Sequence, residues 1–277
     1  MPDIATHYFF GDTALKQLPL KCLAPMDRAV FDTATAGPDT WFFKDFWHRL
    51  APNDIANRMH KEGGSSLLTA LLALAKEDAA KDELYSYVCG FLCHYLIDAS
   101  THPYINGRSA DLGDHMRLER CIDHVAFSEW KDRGAFCITR RIFRLKKVGG
   151  MKNALDKAYF QVYGIPSAAE EMDKCIRNQR IFYVLAEDPT GLFGALLTAV
   201  GKKKKGSLDL SAISYHGKEH AAKDPMNLAR AEWAPGRRES FDELRQSAVR
   251  KVIPLLEGVY SYLYENGAMP DLGELVG

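Results

Sequence analysis

The sequence predicts an all-α fold, a single multi-helix domain over residues 1–277 built from roughly eight to ten helices. Apolar residues recur at helical spacing along most of the chain. No alternating run of β-branched residues lasts long enough to suggest a sheet. Gly and Pro clusters punctuate the periodic stretches at intervals that suit helices of ordinary length. Residues 1–131 hold the candidate metal-binding core, and residues 150–277 form a helical C-terminal extension.

Residues 1–63 read as short helices broken at Gly11, Pro19, Pro25, Gly37-Pro38 and Pro52. Such breaks present polar side chains from loops and helix ends, and His7, Asp39 and His60 lie beside them. Ser65–Ala80 is a strongly apolar helix with Ser65 or Ser66 as its N-cap. Lys81–Ser100 is apolar almost all round, which assigns it to the centre of a bundle. One more helical step reaches His102, just before Pro103 and a loop at Asn106-Gly107-Arg108. A following helix, capped by Asp111 or Asp114, runs to about Lys131.

After Gly149-Gly150 come helices near 151–163 and 167–187, the second introduced by Pro166-Ser167. The turn Asp188-Pro189-Thr190-Gly191 leads to a short apolar helix, Leu192–Val200. Lys202–Lys205 with Gly206 form an exposed basic loop, either a solvated connector or a contact for phosphates or lipid head groups. Residues 207–237 are irregular. The last helix, Ser240–Glu265, opens on the capping-box pattern Ser240-x-x-Glu243, and Pro254 should kink it.

Composition narrows the function classes. With 47% apolar and 26% charged residues the chain is expected to fold rather than stay disordered. Its 36 basic residues balance 36 acidic ones, which argues against a nucleic-acid partner bound by broad phosphate neutralisation. No apolar run is long enough for a membrane span, and the N-terminus lacks the pattern of a secretory signal. Peripheral lipid contact stays open. The six cysteines lie mostly within apolar helical patterns, as expected of reduced, buried thiols in a cytoplasmic protein. Cys89 and Cys93, beside His94, read as core.

The richest stretch is Val88–Asp123, VCGFLCHYLIDASTHPYINGRSADLGDHMRLERCID. His94 with Asp98, and His115 with Glu119, are pairs four residues apart, so on helices each pair points one way. With His102 this makes three His and two carboxylates within 26 residues. Ionisable groups among apolar neighbours are costly unless they pair or coordinate a cation. Nitrogen and carboxylate donors of this kind suit zinc, or a related ion such as Mn or Fe. Asp123 continues the His115 face; it either accepts from a ligand imidazole or pairs with a neighbouring Arg. His216 and His220 are also four apart, but polar surroundings mark an exposed loop. Tyr8, Phe9, Phe10, Trp41, Phe42 and Phe43 cluster near His7 and Asp39, mostly as core, with one or two lining a pocket.

The ordered series His7, Asp39 (in Ala36-Gly37-Pro38-Asp39-Thr40), His60, His94-x-x-x-Asp98, His102 and His115-x-x-x-Glu119 resembles the zinc-dependent phospholipase C family. That family includes the bacterial phosphatidylcholine-hydrolysing enzymes and the catalytic domain of clostridial α-toxin. The resemblance implies a helical bundle with two or three Zn²⁺ that hydrolyses a lipid or small-molecule phosphoester. It implies one zinc on Asp39, His60, His94 and Asp98, and a second on His102, His115 and Glu119. A third would take His7, Asp98 and the chain terminus, with Asp39 also the general base. Three departures stand out. The chain begins Met1-Pro2 where secreted members present a Trp; Asp98 and His102 are only four apart; and no membrane-docking β-sandwich follows. A phosphomonoesterase or nuclease on the same scaffold, or a non-catalytic metal-stabilised helical protein, are the alternatives.

Overall fold

A computed structural model describes residues 4–46, 54–110, 112–131, 148–188, 190–201 and 232–273. The helices are α1 (Ile4–Leu15), α2 (Leu20–Leu23), α3 (Arg28–Ala34), α4 (Asp54–Glu62), α5 (Ser65–Ala75) and α6 (Lys81–Arg108). They continue with α7 (Leu112–Lys131), α8 (Lys152–Tyr163), α9 (Ala168–Glu187), α10 (Leu192–Gly201) and α11 (Phe241–Tyr264). A 3-10 segment, Gly37–Phe43, follows α3, and another, Val148–Met151, precedes α8. Among the described residues there is no strand, so the all-α expectation holds.

The bundle is built around α6. Every residue from Leu84 to Asp98 is buried, as its all-round apolar sequence requires. It packs most extensively on α3 and α11, and also meets α1, α5, α7 and the Gly37–Phe43 segment. The main apolar core draws on residues from Ile4 to Leu272, so the first and last helices share it. Polar groups taken into that core are bonded: Tyr87 Oη lies 2.7 Å from Tyr159 Oη. Tyr85 Oη donates to the Cys22 carbonyl and Tyr95 Oη to the Met59 carbonyl, both at 2.9 Å. Cys89 and Cys93 are fully buried, and burial pushes both thiols up, which fits core packing.

Several boundaries differ from the sequence expectation. Gly11 does not break α1; a Cβ there would lie 2.9 Å from Thr35 Cγ2, so the residue is small because α3 approaches closely. Gly64 occupies the N-cap of α5, while the Ser65 hydroxyl donates to the Gly273 carbonyl. The helix ends at Ala75 because Asp78 turns the chain, its side chain accepting from Ala80 N at 2.8 Å. The largest correction concerns α6. It runs through Pro103 to Arg108, so Asn106-Gly107-Arg108 is its last turn and no loop. Pro103 lacks the N–H that Ala99 O would accept, and Ala99 is exposed, so water can take that place. Asp114 lies inside α7, whose first residue is Leu112, and so does not cap it.

The capping box of α11 is present: Ser240 N donates to Glu243 Oε2 at 2.8 Å and Glu243 N to Ser240 Oγ at 3.1 Å. Pro254 lies within α11 without ending it. The expectations for Pro52, Asp111, the Lys202–Lys205 loop, most of the irregular stretch to 237, His216 and His220 fall outside the described residues.

Candidate metal centre

Five elements bring the sequence-predicted donors together. α6 contributes His94, Asp98 and His102 at four-residue steps along one face; α7 contributes His115 and Glu119; α1 His7; α4 His60; and the Gly37–Phe43 segment Asp39. Asp98 stands at the centre. Its Oδ1 faces His7 Nε2 at 3.4 Å and His102 Nε2 at 3.9 Å. Its Oδ2 faces His94 Nε2 at 3.1 Å and His60 Nε2 at 3.8 Å. Asp39 Oδ1 lies 3.2 Å from His60 Nε2 and 3.9 Å from His94 Nε2. Glu119 Oε1 lies 2.8 Å from His115 Nε2 and 4.0 Å from His102 Nε2.

The donor atoms form three triads, His7/His94/Asp98, Asp39/His60/His94 and His102/His115/Glu119, each gathered within 4.8 Å. The first is the deepest, with His94 and Asp98 0% exposed and His7 1%. The other two lie nearer the surface, where the side chains of Asp39, His102 and His115 keep some exposure. Access therefore comes from the side of those two triads.

Backbone carbonyls fix which nitrogen each imidazole offers. His60 Nδ1 lies 2.8 Å from Ala56 O, and His94 Nδ1 3.2 Å from Thr35 O. A carbonyl only accepts, so Nδ1 carries a proton and Nε2 is the nitrogen turned toward the carboxylates, the one that can offer a lone pair to a cation. A lone pair facing a carboxylate oxygen is repulsive unless a cation lies between them. The rest of the cluster says the same. His7 Nε2, Asp39 Oδ1, His60 Nε2, His94 Nε2, His102 Nε2 and both Asp98 oxygens are buried without a hydrogen-bond partner. For metal–donor bonds of about 2.0–2.2 Å, neighbouring donors of a tetrahedral site stand about 3.3–3.6 Å apart. The separations here scatter around that value, so the donor set fits zinc.

Electrostatics follow from burial and crowding. Burial, reinforced by His94, lowers His7 to about 3, so this ring is neutral near pH 7. Burial likewise lowers His115, to about 4, and is the main influence lowering His102. For Asp98 burial acts upward, but His94, His102 and His7 outweigh it and hold the carboxyl well below the usual range. Asp39 is lowered in the same way, burial being overcome by His94 and His60. His60 is raised, the loss of solvent offset by its contact with Asp39.

Two features carry no signal in the sequence: the close packing of Gly37 on His94 and the partners of Asp123. Gly37, with φ +52°, lies so close that a Cβ would fall 2.4 Å from His94 Cγ. The Gly-Pro dipeptide signalled only a turn. Asp123, 0% exposed, accepts from Ala5 N at 3.0 Å, from Thr6 N at 2.9 Å and from the Thr6 hydroxyl. It holds the first turn of α1, and an anion there is favoured by the helix dipole. His7 follows directly, its ring stacked on His94 with centroids 4.1 Å apart. Of the nearby aromatics, Phe42 is partly exposed and stacks on His60 at 5.8 Å, whereas Tyr8, Phe9, Phe10, Trp41 and Phe43 are buried.

The fold and the donor set together define an all-helical protein whose His, Asp and Glu clusters are compatible with zinc binding. The chain belongs to the family described as zinc dependent phospholipase C, whose profile matches residues 6–179 and so covers all eight donors. Searches of curated proteins and of solved structures return no match.

Proposed function

We propose that this chain is a metal-dependent phosphoesterase that hydrolyses a phosphodiester, in the manner of a phospholipase C, as one domain. The observation that carries this is the convergence of eight buried or half-buried donors on the two oxygens of Asp98 and the carboxylates beside it. Asp39, His60, His94 and Asp98 would hold one zinc, and His102, His115 and Glu119 a second. His7, with the shared Asp98, would contribute to a third. Bound Zn²⁺ supplies Lewis acidity toward phosphoryl oxygens and a lowered pKa for water.

The remaining work falls to the chain. The Ala56 and Thr35 carbonyls keep two imidazoles in the liganding tautomer. The three carboxylates Asp39, Asp98 and Glu119 carry less charge than two or three Zn²⁺, which favours a phosphate anion. Asp39, held ionised beside His60 and near the surface, would accept a proton from an attacking water. Phe42, stacked on His60, gives the apolar part of a substrate a wall. Cys22, Cys89, Cys93 and Cys175 are buried free thiols, which supports a reducing compartment.

The test is metal content followed by turnover. The purified chain should carry about two or three equivalents of zinc. His94→Ala and Glu119→Ala should each lower phosphodiesterase turnover on lipid and chromogenic substrates at least about 100-fold. Less than one equivalent after reconstitution, or full activity in both variants, would sink the reading. Metal without turnover on any phosphoester would favour a purely structural centre.

A further inference from the structure

The outer donor triad spans two helices that meet only lightly. His102 comes from α6, and His115 with Glu119 from α7. Among the described residues, α6 packs far less on α7 than on α3 or α11. α6 is also weakened at this end, because Pro103 removes a backbone hydrogen bond just past His102. Donors on separate helices share one ion only if their supports are held to about 0.5 Å. A second apolar cluster, apart from the main core, joins the two helices here. Tyr104 and Ile105 reach it from α6, Ile122 from α7, and Phe241 and Leu244 from α11. Ile105 lies three residues past His102 and Ile122 three past Glu119, so cluster and donors are neighbours on each helix.

Trp233 completes that cluster from outside every helix. Pro235-Gly236 makes a tight turn, with Gly236 at φ +74° and Arg237 N donating to the Ala234 carbonyl at 2.8 Å. Trp233 N donates in turn to the Arg237 carbonyl at 3.0 Å. The indole points inward. Trp233 is 6% exposed, its ring meets Tyr104 edge-on at 5.8 Å, and its Nε1 donates to the Glu239 carbonyl at 3.0 Å. Arg237 lies over the same ring at 4.4 Å. The Trp233 carbonyl presses on Gly107, where a Cβ would come within 2.2 Å of it. Side chain and backbone together thus grip the last turns of α6.

We infer that Trp233 is a positioning residue for the His102/His115/Glu119 triad, acting through Tyr104 and Ile105 on α6 and Ile122 on α7. This role rests on the reading of the donor set as a metal centre. It lies beyond residues 6–179, the span of the family profile, so the C-terminal part of this chain supports a site whose donors all lie within that span. The effect is local to one triad. Asp39, His60 and His94 stand on the Gly37–Phe43 segment, α4 and the middle of α6, whose apolar residues pack in the main core instead. Loosening Trp233 therefore releases the outer ion and spares the inner ones.

Full-length protein loaded with zinc is compared with its variants by metal analysis and chelator competition. Trp233→Ala should bind one zinc equivalent about 10–100-fold more weakly than wild type, with an unchanged circular dichroism spectrum. Adding His115→Ala to Trp233→Ala should release no further zinc, since both act on one site. Trp233→Phe, which keeps a ring beside Tyr104, should recover most of the affinity. Gly107→Ala makes the same test from the α6 side. Alanine favours the helix, yet its methyl group displaces the Trp233 carbonyl, so zinc should weaken while helix content holds. The proposal falls if both Trp233→Ala and Gly107→Ala keep wild-type affinity for every equivalent, or if His115→Ala removes a further equivalent from Trp233→Ala. Should Trp233→Ala lose its helical signal, Gly107→Ala decides alone: selective zinc loss supports the role, and undiminished zinc overturns it. Less than one equivalent in wild type would instead overturn the metal centre itself, a result distinct from full wild-type zinc that both variants match.

Discussion

Gly37 carries two constraints at once: its φ of +52° is strained for any side chain, and His94 occupies the space a Cβ would need. Gly37→Ala should therefore lower stability by roughly 1–3 kcal/mol, read from a denaturant midpoint, and reduce bound zinc in the same preparation. A variant with an unchanged midpoint and full zinc would show that the segment moves freely away from His94. The eight candidate donors that the structure gathers are legible in the sequence, because His and carboxylate pairs four apart in apolar surroundings form an uncommon series. What stands behind them is not. Thr35 supplies the carbonyl to His94 across 59 residues, and no local pattern signals such a contact. Asp123 was recognised as part of the face, but its partners on α1 are 117 and 118 positions away.

Among the elements, α1 depends on that remote carboxylate. Removing it leaves the Ala5 and Thr6 N–H groups buried without their acceptor, which costs about 1–3 kcal/mol. Asp123→Ala should show that loss and should lower zinc stoichiometry at the His7 triad, with Asp123→Asn closer to wild type. Equal zinc content in both variants would mean that His7 is held without α1's anchor. Helix positions were read well where amphipathic pattern and cap agreed, as in α11. Pattern alone falls short where tertiary packing decides: Pro103 marks a boundary in the sequence, yet α6 continues another turn beyond it. Gly107 has the same origin, since a Cβ there would meet the Trp233 carbonyl at 2.2 Å.

At the scale of the whole molecule, the shared core means that the centre and the C-terminal helices stand or fall together. Acid should expose this in the metal-free chain. Unfolded His7 takes a proton near 6.5, while the buried ring resists to about 3. Between those values the unfolded state binds the extra proton, so stability falls as pH drops. His102 and His115 act with the same sign, and His60 opposes them. Calorimetry after chelation should give a Tm clearly lower at pH 5 than at pH 7. A Tm that is flat across that interval would mean that His7 is not buried as a neutral ring.

Asp98 is one anion with a different pair of imidazoles before each of its oxygens. Charge drawn toward an ion on one side is charge withdrawn from the other. On the proposed reading, occupancy of one site sets the affinity of its neighbour, and reciprocity makes the two effects equal. Titration with zinc would then follow interdependent steps rather than a set of independent equilibria, with a single carboxylate as the point of exchange.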